Sequence, residues 1–221
     1  MRSLFPAIVV LCVVGAGCSH PEKSVRPSTT SKTSAWLSGF SVSPHWSEQI
    51  KEFTTDSGVR VHINAPSAKR FRPALPTKIV YYALPNGNSI EWTIGRAKAD
   101  DLDWHYFIQH IGAQTRRLRE VMKDCNLVVA YLEADKKSWP HWRGQREDNS
   151  ELIAALVQQI QDEVGVRTPK LTLSGHSGGG SFLFGFLNAF EKIPDSVERI
   201  CFLDSNYGFS SEDGHGTKLL E

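Results

Sequence analysis

Four short runs of apolar, β-rich residues interrupt the otherwise polar chain, and turn-forming residues bound them. Ile79-Val80-Tyr81-Tyr82-Ala83-Leu84 stops at Pro85-Asn86-Gly87-Asn88, and the others are Asn126 to Leu132, Lys170 to Ser174 and Ile200 to Leu203. Runs of this length without alternation are what strands buried on both faces require. Val59 to Ile63 alternates apolar and polar residues over few positions and predicts at best an early edge strand. Between the runs the period changes. Trp104, Phe107, Ile108, Ile111, Thr115, Leu118 and Met122 recur at helical spacing, with Arg116, Arg117 and Arg119 mostly off that stripe. The pattern predicts an amphipathic helix whose arginines form a solvated face rather than an anion site.

Leu152, Ile153, Leu156, Ile160 and Val164 mark a second helix, ended by Gly165, and Phe182, Leu183, Phe186, Leu187 and Phe190 mark a third. The order is therefore β-α-β-α-β-α-β. Such alternation implies an α/β fold, a mostly parallel sheet flanked by helices on both faces.

The start of the chain reads as an address. Met1-Arg2 is followed by an apolar run, Leu4 to Val14, too short to span a hydrocarbon core of roughly 30 Å. Gly15-Ala16-Gly17-Cys18 resembles the lipobox of bacterial lipoproteins. That resemblance implies a signal peptide over residues 1–17, lipidation of Cys18, and an anchored protein on the periplasmic or cell-surface side. Residues 18–35, rich in Ser, Thr, Lys and Pro, predict a flexible tether. Residues 36–221 form the folded domain.

Composition narrows the chemistry. Lys+Arg 25 against Asp+Glu 24 leaves a formal charge of +1, which gives no field to attract nucleic acid. The four cysteines contain no C-x-x-C pair, so no metal site or other cofactor is expected. Strands separate Cys125 from Cys201 in the proposed order, and free thiols are expected there.

Between the third buried run and the third helix lies Gly175-His176-Ser177-Gly178-Gly179. The G-x-S-x-G string is short enough to arise by accident, and its placement carries the weight. A nucleophile elbow needs a strand before it, a helix after it, and glycines where a Cβ would not fit. Over about residues 77 to 207 the chain thereby resembles the α/β-hydrolase family, which implies a nucleophilic serine, a histidine base and a carboxylate that orients the base. Ser177 matches the nucleophile, and the peptide N–H of Gly178 matches one oxyanion donor. Pro85-Asn86-Gly87-Asn88 lies where the family has its second oxyanion loop. Gly87 matches that loop's glycine and Asn88 the donor, while Asn86 replaces the usual histidine; an ordinary Asn-Gly turn is the alternative. Trp139-Pro140-His141-Trp142-Arg143 follows the second buried strand at the family's site edge. Trp139, His141, Trp142 and Arg143 are candidates for a substrate wall or for a cap on the core. Trp104, His105 and His110 are ambiguous in the same way.

In the family the acid follows the strand after the elbow helix, or the next one, and the histidine follows the last strand. Asp204, behind Leu203, occupies one acid position. His215 is the sole histidine after the elbow. Too little chain follows Ser177 for two further βα units. Two readings result: a truncated version of a longer hydrolase whose missing part held the base, or His215 folding back as a substitute. An apolar strand at 200–203 with nothing beside it would invite edge pairing, which favours truncation. The functional expectation is a serine hydrolase that attacks a small-molecule or polymeric ester or amide through an acyl-enzyme. The alternative is a membrane-anchored binding or structural module that kept the fold without a working base.

Overall fold

The structure, a computed structural model, describes residues 35–97, 100 and 110–220. The lipobox, Cys18, Trp104 and His105 lie outside the described residues. Seven strands form one sheet: β1 (Ser41–Val42), β2 (Gln49–Thr54), β3 (Arg60–Ala65), β4 (Thr77–Ala83), β5 (Asn126–Glu133), β6 (Lys170–His176) and β7 (Val197–Leu203). Their spatial order is β1-β2-β3-β5-β4-β6-β7. The last four in chain order are mutually parallel, and β3 closes onto β5 antiparallel. The parallel core matches the buried runs read from the sequence. Val59 to Ile63 does not make an edge strand, because the β1–β2 hairpin covers the outer side of β3.

The helices are α1 (Ile90–Ile94), α2 (Ile111–Val121), α3 (Trp139–Gly144), α4 (Asn149–Val164), α5 (Gly180–Asn188) and α6 (His215–Leu220). They cover both faces, as the continuous apolar strands demand. Ile79, Tyr81 and Ala83 of β4 share one core with Trp139, Trp142, Ile153, Ile160 and Phe182 of α3 to α5. Val80, Tyr82 and Leu84 share the other with Ile90 of α1 and Ile111 of α2. Alternate residues of one strand thus fill different cores, the period of two expressed on two faces. The Tyr81 hydroxyl donates to the Val157 carbonyl at 3.0 Å, and α4 ends at Gly165 with φ +66. Among the described residues β7 lies at one edge of the sheet, opposite β1, and is only half-buried. Cys125 and Cys201 are not joined in a disulfide, and β4 and β6 lie between their strands.

The arginines of α2 overturn one expectation. Arg117 is exposed, but Arg116 is partly covered and Arg119 is buried rather than solvated. Arg119 donates to Glu48 Oε1 at 2.9 Å, Asn64 Oδ1 at 2.7 Å, the Asn64 carbonyl at 2.8 Å and the Leu127 carbonyl at 2.9 Å. Arg116 adds a second ion pair to Glu48 at 3.1 Å. Burial pulls the Arg119 guanidinium down to about 10, against the opposing pull of Glu48. The network bolts α2 to the strand hairpin. Glu48→Gln would leave a buried cation without its counter-charge, a loss of about 3–5 kcal/mol of stability. Urea unfolding would show a lower midpoint with an unchanged slope; a loss below about 1 kcal/mol would refute the bolting role.

Candidate active site

β4 has β5 on one side and β6 on the other, so the chain changes direction across the sheet at this strand. A crevice opens at the carboxyl ends of the strands where such a switch occurs. Ala83 pairs with Gly175, which makes the turns after β4 and β6 leave the sheet side by side. His176 pairs with Leu203, which brings the end of β7 to the same level.

Ser177 leaves β6 with φ +49, in the left-handed region that a side chain rarely adopts. A single 3-10 turn, Ser177–Gly179, then runs into α5. Ser177 is half-exposed, whereas Gly178 and Gly179 are buried. The turn can pack this tightly only without side chains: a Cβ on Gly179 would lie 2.2 Å from the Ala83 carbonyl oxygen. Opening amides of a helix have no carbonyl one turn back to bond, so the Gly178 N–H is available to a ligand. Among the described residues nothing hydrogen-bonds the Ser177 hydroxyl.

Asp204 is exposed at the end of β7, with φ +48. Its charge acts on His176, whose proton affinity burial lowers and Asp204 partly restores. Ser205, buried behind it, donates its hydroxyl to the Gly175 carbonyl at 2.9 Å. Asp204 and the elbow are therefore neighbours.

His215 is not brought to Ser177. Its ring is buried against Phe184 and Phe209, Nδ1 accepts from the Ser210 N–H at 2.9 Å, and Nε2 lies 2.6 Å from Asn188 Oδ1. Asn188 closes α5 at the end away from the elbow, about 12 Å along the axis from Gly180. With both ring nitrogens committed, His215 fastens α6 to α5 in this arrangement and offers no lone pair to a serine.

The loop after β4 is an ordinary Asn-Gly turn, the alternative reading of that segment. Gly87, at φ +81, donates its N–H to the Lys137 carbonyl at 2.9 Å, and the Asn88 N–H turns back to the Pro85 carbonyl at 3.3 Å. The Asn88 amide, matched to the donor, is thus bonded to a protein carbonyl, and so is the amide of Gly87. Of the two readings of the aromatic segment, the cap on the core fits the two indoles: Trp139 and Trp142 are each 1% exposed, packed with Phe182. Their indole N–H groups bond the carbonyls of Leu132 and Ser57. Arg143 donates to Asn149 Oδ1 and the Ser181 carbonyl and ties α3 to α5, while His141 is exposed. His110 begins α2 with φ +68.

Glu133 was missed from sequence. Its buried carboxylate, at the end of β5, accepts from the Ile90 N–H at 2.8 Å and from Arg60. It thereby holds the chain just beyond the Asn86-Gly87 turn. An acidic residue closing an apolar run was the available signal.

No family model matches the chain, and no curated protein matches it. Among solved structures it is similar to Est1E from Butyrivibrio proteoclasticus, at 16% identity over 68% of this chain and 48% of that one, with a TM-score of 0.36. A structure of fungal esterases from Rhizomucor miehei is 15% identical over 83% of this chain and 51% of that one, with a TM-score of 0.41. Brefeldin A esterase, described as a bacterial homologue of human hormone sensitive lipase, is 15% identical over 86% and 48%, with a TM-score of 0.39. The chain spans about half the length of each of these structures.

The packing of His215 sets a pH dependence. Burial lowers its proton affinity, Asp213 opposes this, and Lys218 and Arg143 add to it. The folded pKa therefore lies below the unfolded one of about 6.5. As pH falls below that value the unfolded chain takes the proton first, and stability is lost. Between about pH 7 and pH 5, the Tm of His215→Gln should fall less than that of the wild type. Parallel curves would show that His215 does not carry the linkage.

Proposed function

We propose that this protein is an exported serine hydrolase that cleaves an ester or amide through an acyl-enzyme on Ser177. One observation supports it above the others. A half-exposed serine is held in a left-handed turn between a buried strand and a helix, beside the switch in strand order. Nothing in ordinary packing rewards such a conformation, which costs about 1–3 kcal/mol, and it turns the hydroxyl out of the strand. The Gly178 N–H then faces the charge that develops on an attacked carbonyl oxygen. Asp204, on the neighbouring strand end, is positioned to orient a base or to hold the turn.

The location of His215 favours a second reading, a module that keeps the fold but lacks a working base. A fluorophosphonate probe separates the two, because it bonds to activated serines. The first reading expects wild-type labelling that Ser177→Ala abolishes. Well-folded wild-type protein that stays unlabelled would establish the second.

Export and anchoring form the other half of the proposal. Lipidation of Cys18 would hold the domain on a membrane at the periplasmic or cell-surface side, where small or polymeric substrates reach it. Radiolabelled palmitate supplied to an expressing bacterium should enter the wild type and not Cys18→Ala. Equal incorporation into both would remove the anchor.

A further inference from the structure

Gly87 and Asn88 leave the post-β4 turn without a free main-chain donor, yet a third group on that turn reaches the elbow. The Asn86 carboxamide lies directly over Gly178: a Cβ at Gly178 would be 2.1 Å from Asn86 Oδ1 and 2.7 Å from Nδ2. We propose that the Asn86 side-chain amide, rather than the Asn88 peptide N–H, is the second donor to the oxyanion formed at Ser177. This inference rests on the hydrolase reading given above.

Three features of the turn support it. Asn86 is exposed and its carboxamide makes no hydrogen bond within the described residues, so its donors are free for a ligand. Rotation of the carboxamide about its terminal bond exchanges Oδ1 and Nδ2 at little cost, because nothing fixes either atom. The backbone beneath it is fixed. The Gly87 N–H is tied to Lys137, the Asn88 N–H to Pro85, and the Ile90 N–H to the Glu133 carboxylate that Arg60 also grips. A donor on so constrained a turn needs little reorganisation when charge appears, which is the condition for oxyanion stabilisation.

The chemistry balances without a cofactor. As the Ser177 hydroxyl oxygen bonds to the acyl carbon, its proton passes to water or a buffer base. The carbonyl electron pair moves onto oxygen, where the Gly178 N–H and an Asn86 Nδ2–H receive it. Collapse restores the carbonyl and breaks the bond to the leaving group, which departs with a proton as alcohol or amine. Water then releases the acid by the same route.

The rate constant for fluorophosphonate labelling tests the assignment, since the phosphoryl oxygen occupies the same cradle. Asn86→Ala should label about 10²–10³-fold more slowly, the loss expected for one oxyanion donor. Asn86→Asp, of equal size but with only acceptors, should be no faster than Asn86→Ala. Thermal unfolding of both variants should match the wild type, because the Asn86 side chain holds nothing. If the wild type labels and both variants label at its rate, the Asn86 assignment is overturned while the serine reading stands. If the wild type does not label, the hydrolase reading falls and takes this assignment with it.

Discussion

Two main chains meet with no side chain between them where β4 and β6 end, and the candidate site depends on that contact. The Ala83 carbonyl occupies the space that a Cβ of Gly179 would need. Parallel pairing from Lys78 with Lys170 to Ala83 with Gly175 keeps the two strand ends level, so the approach follows from the register of the sheet. From this contact the serine turn and the Asn86 turn emerge side by side. Larger residues at the elbow would separate them, and the Asn86 carboxamide would no longer rest on Gly178.

Much of this was legible beforehand, for a physical reason. A strand buried on both faces must be apolar at every position, and the runs around Tyr81, Val129 and Leu173 announced themselves that way. The elbow was legible because strand, glycines and helix coincide. The β1–β2 hairpin was not, because Gln49, Lys51 and Glu52 break any apolar pattern, and its attachment is polar: Gln49 bonds the Leu37 N–H and the Pro66 carbonyl. The short α1 and α3 offer too few residues for a period to develop. Trp139 and Trp142 carried the composition of a binding wall, but ring burial is a tertiary property. Two indoles whose N–H groups reach nearby carbonyls are as content in a core as against a substrate.

The misreading of Arg119 has the same root. Helical periodicity separates apolar from polar positions, but it does not identify a polar residue whose partner lies far away in sequence. Glu48 is such a partner, and desolvating an ion pair is tolerable here because Asn64 and the Leu127 carbonyl satisfy the remaining guanidinium donors. Glu133 works similarly at the other end of the sheet-helix boundary, where Arg60 and the Ile90 N–H saturate its oxygens. Buried charge in this protein joins elements that hydrophobic burial alone would leave free to slide. The strands are held by apolar contact, and the segment that follows the Asn86-Gly87 turn is held by the Glu133 carboxylate.

Strain at the elbow needs a counterweight, and β7 provides it. Ser177 and Asp204 end neighbouring strands with nearly the same left-handed φ, +49 and +48. Each such residue costs about 1–3 kcal/mol and persists only where its surroundings overdetermine it. The Ser205 hydroxyl, bonded to the Gly175 carbonyl, links the two turns directly behind the serine. That bond couples the end of β7 to the residue two before the serine. The position of Asp204 therefore has a mechanical explanation that holds whether or not its carboxylate orients a base: it ends the strand that braces the serine turn.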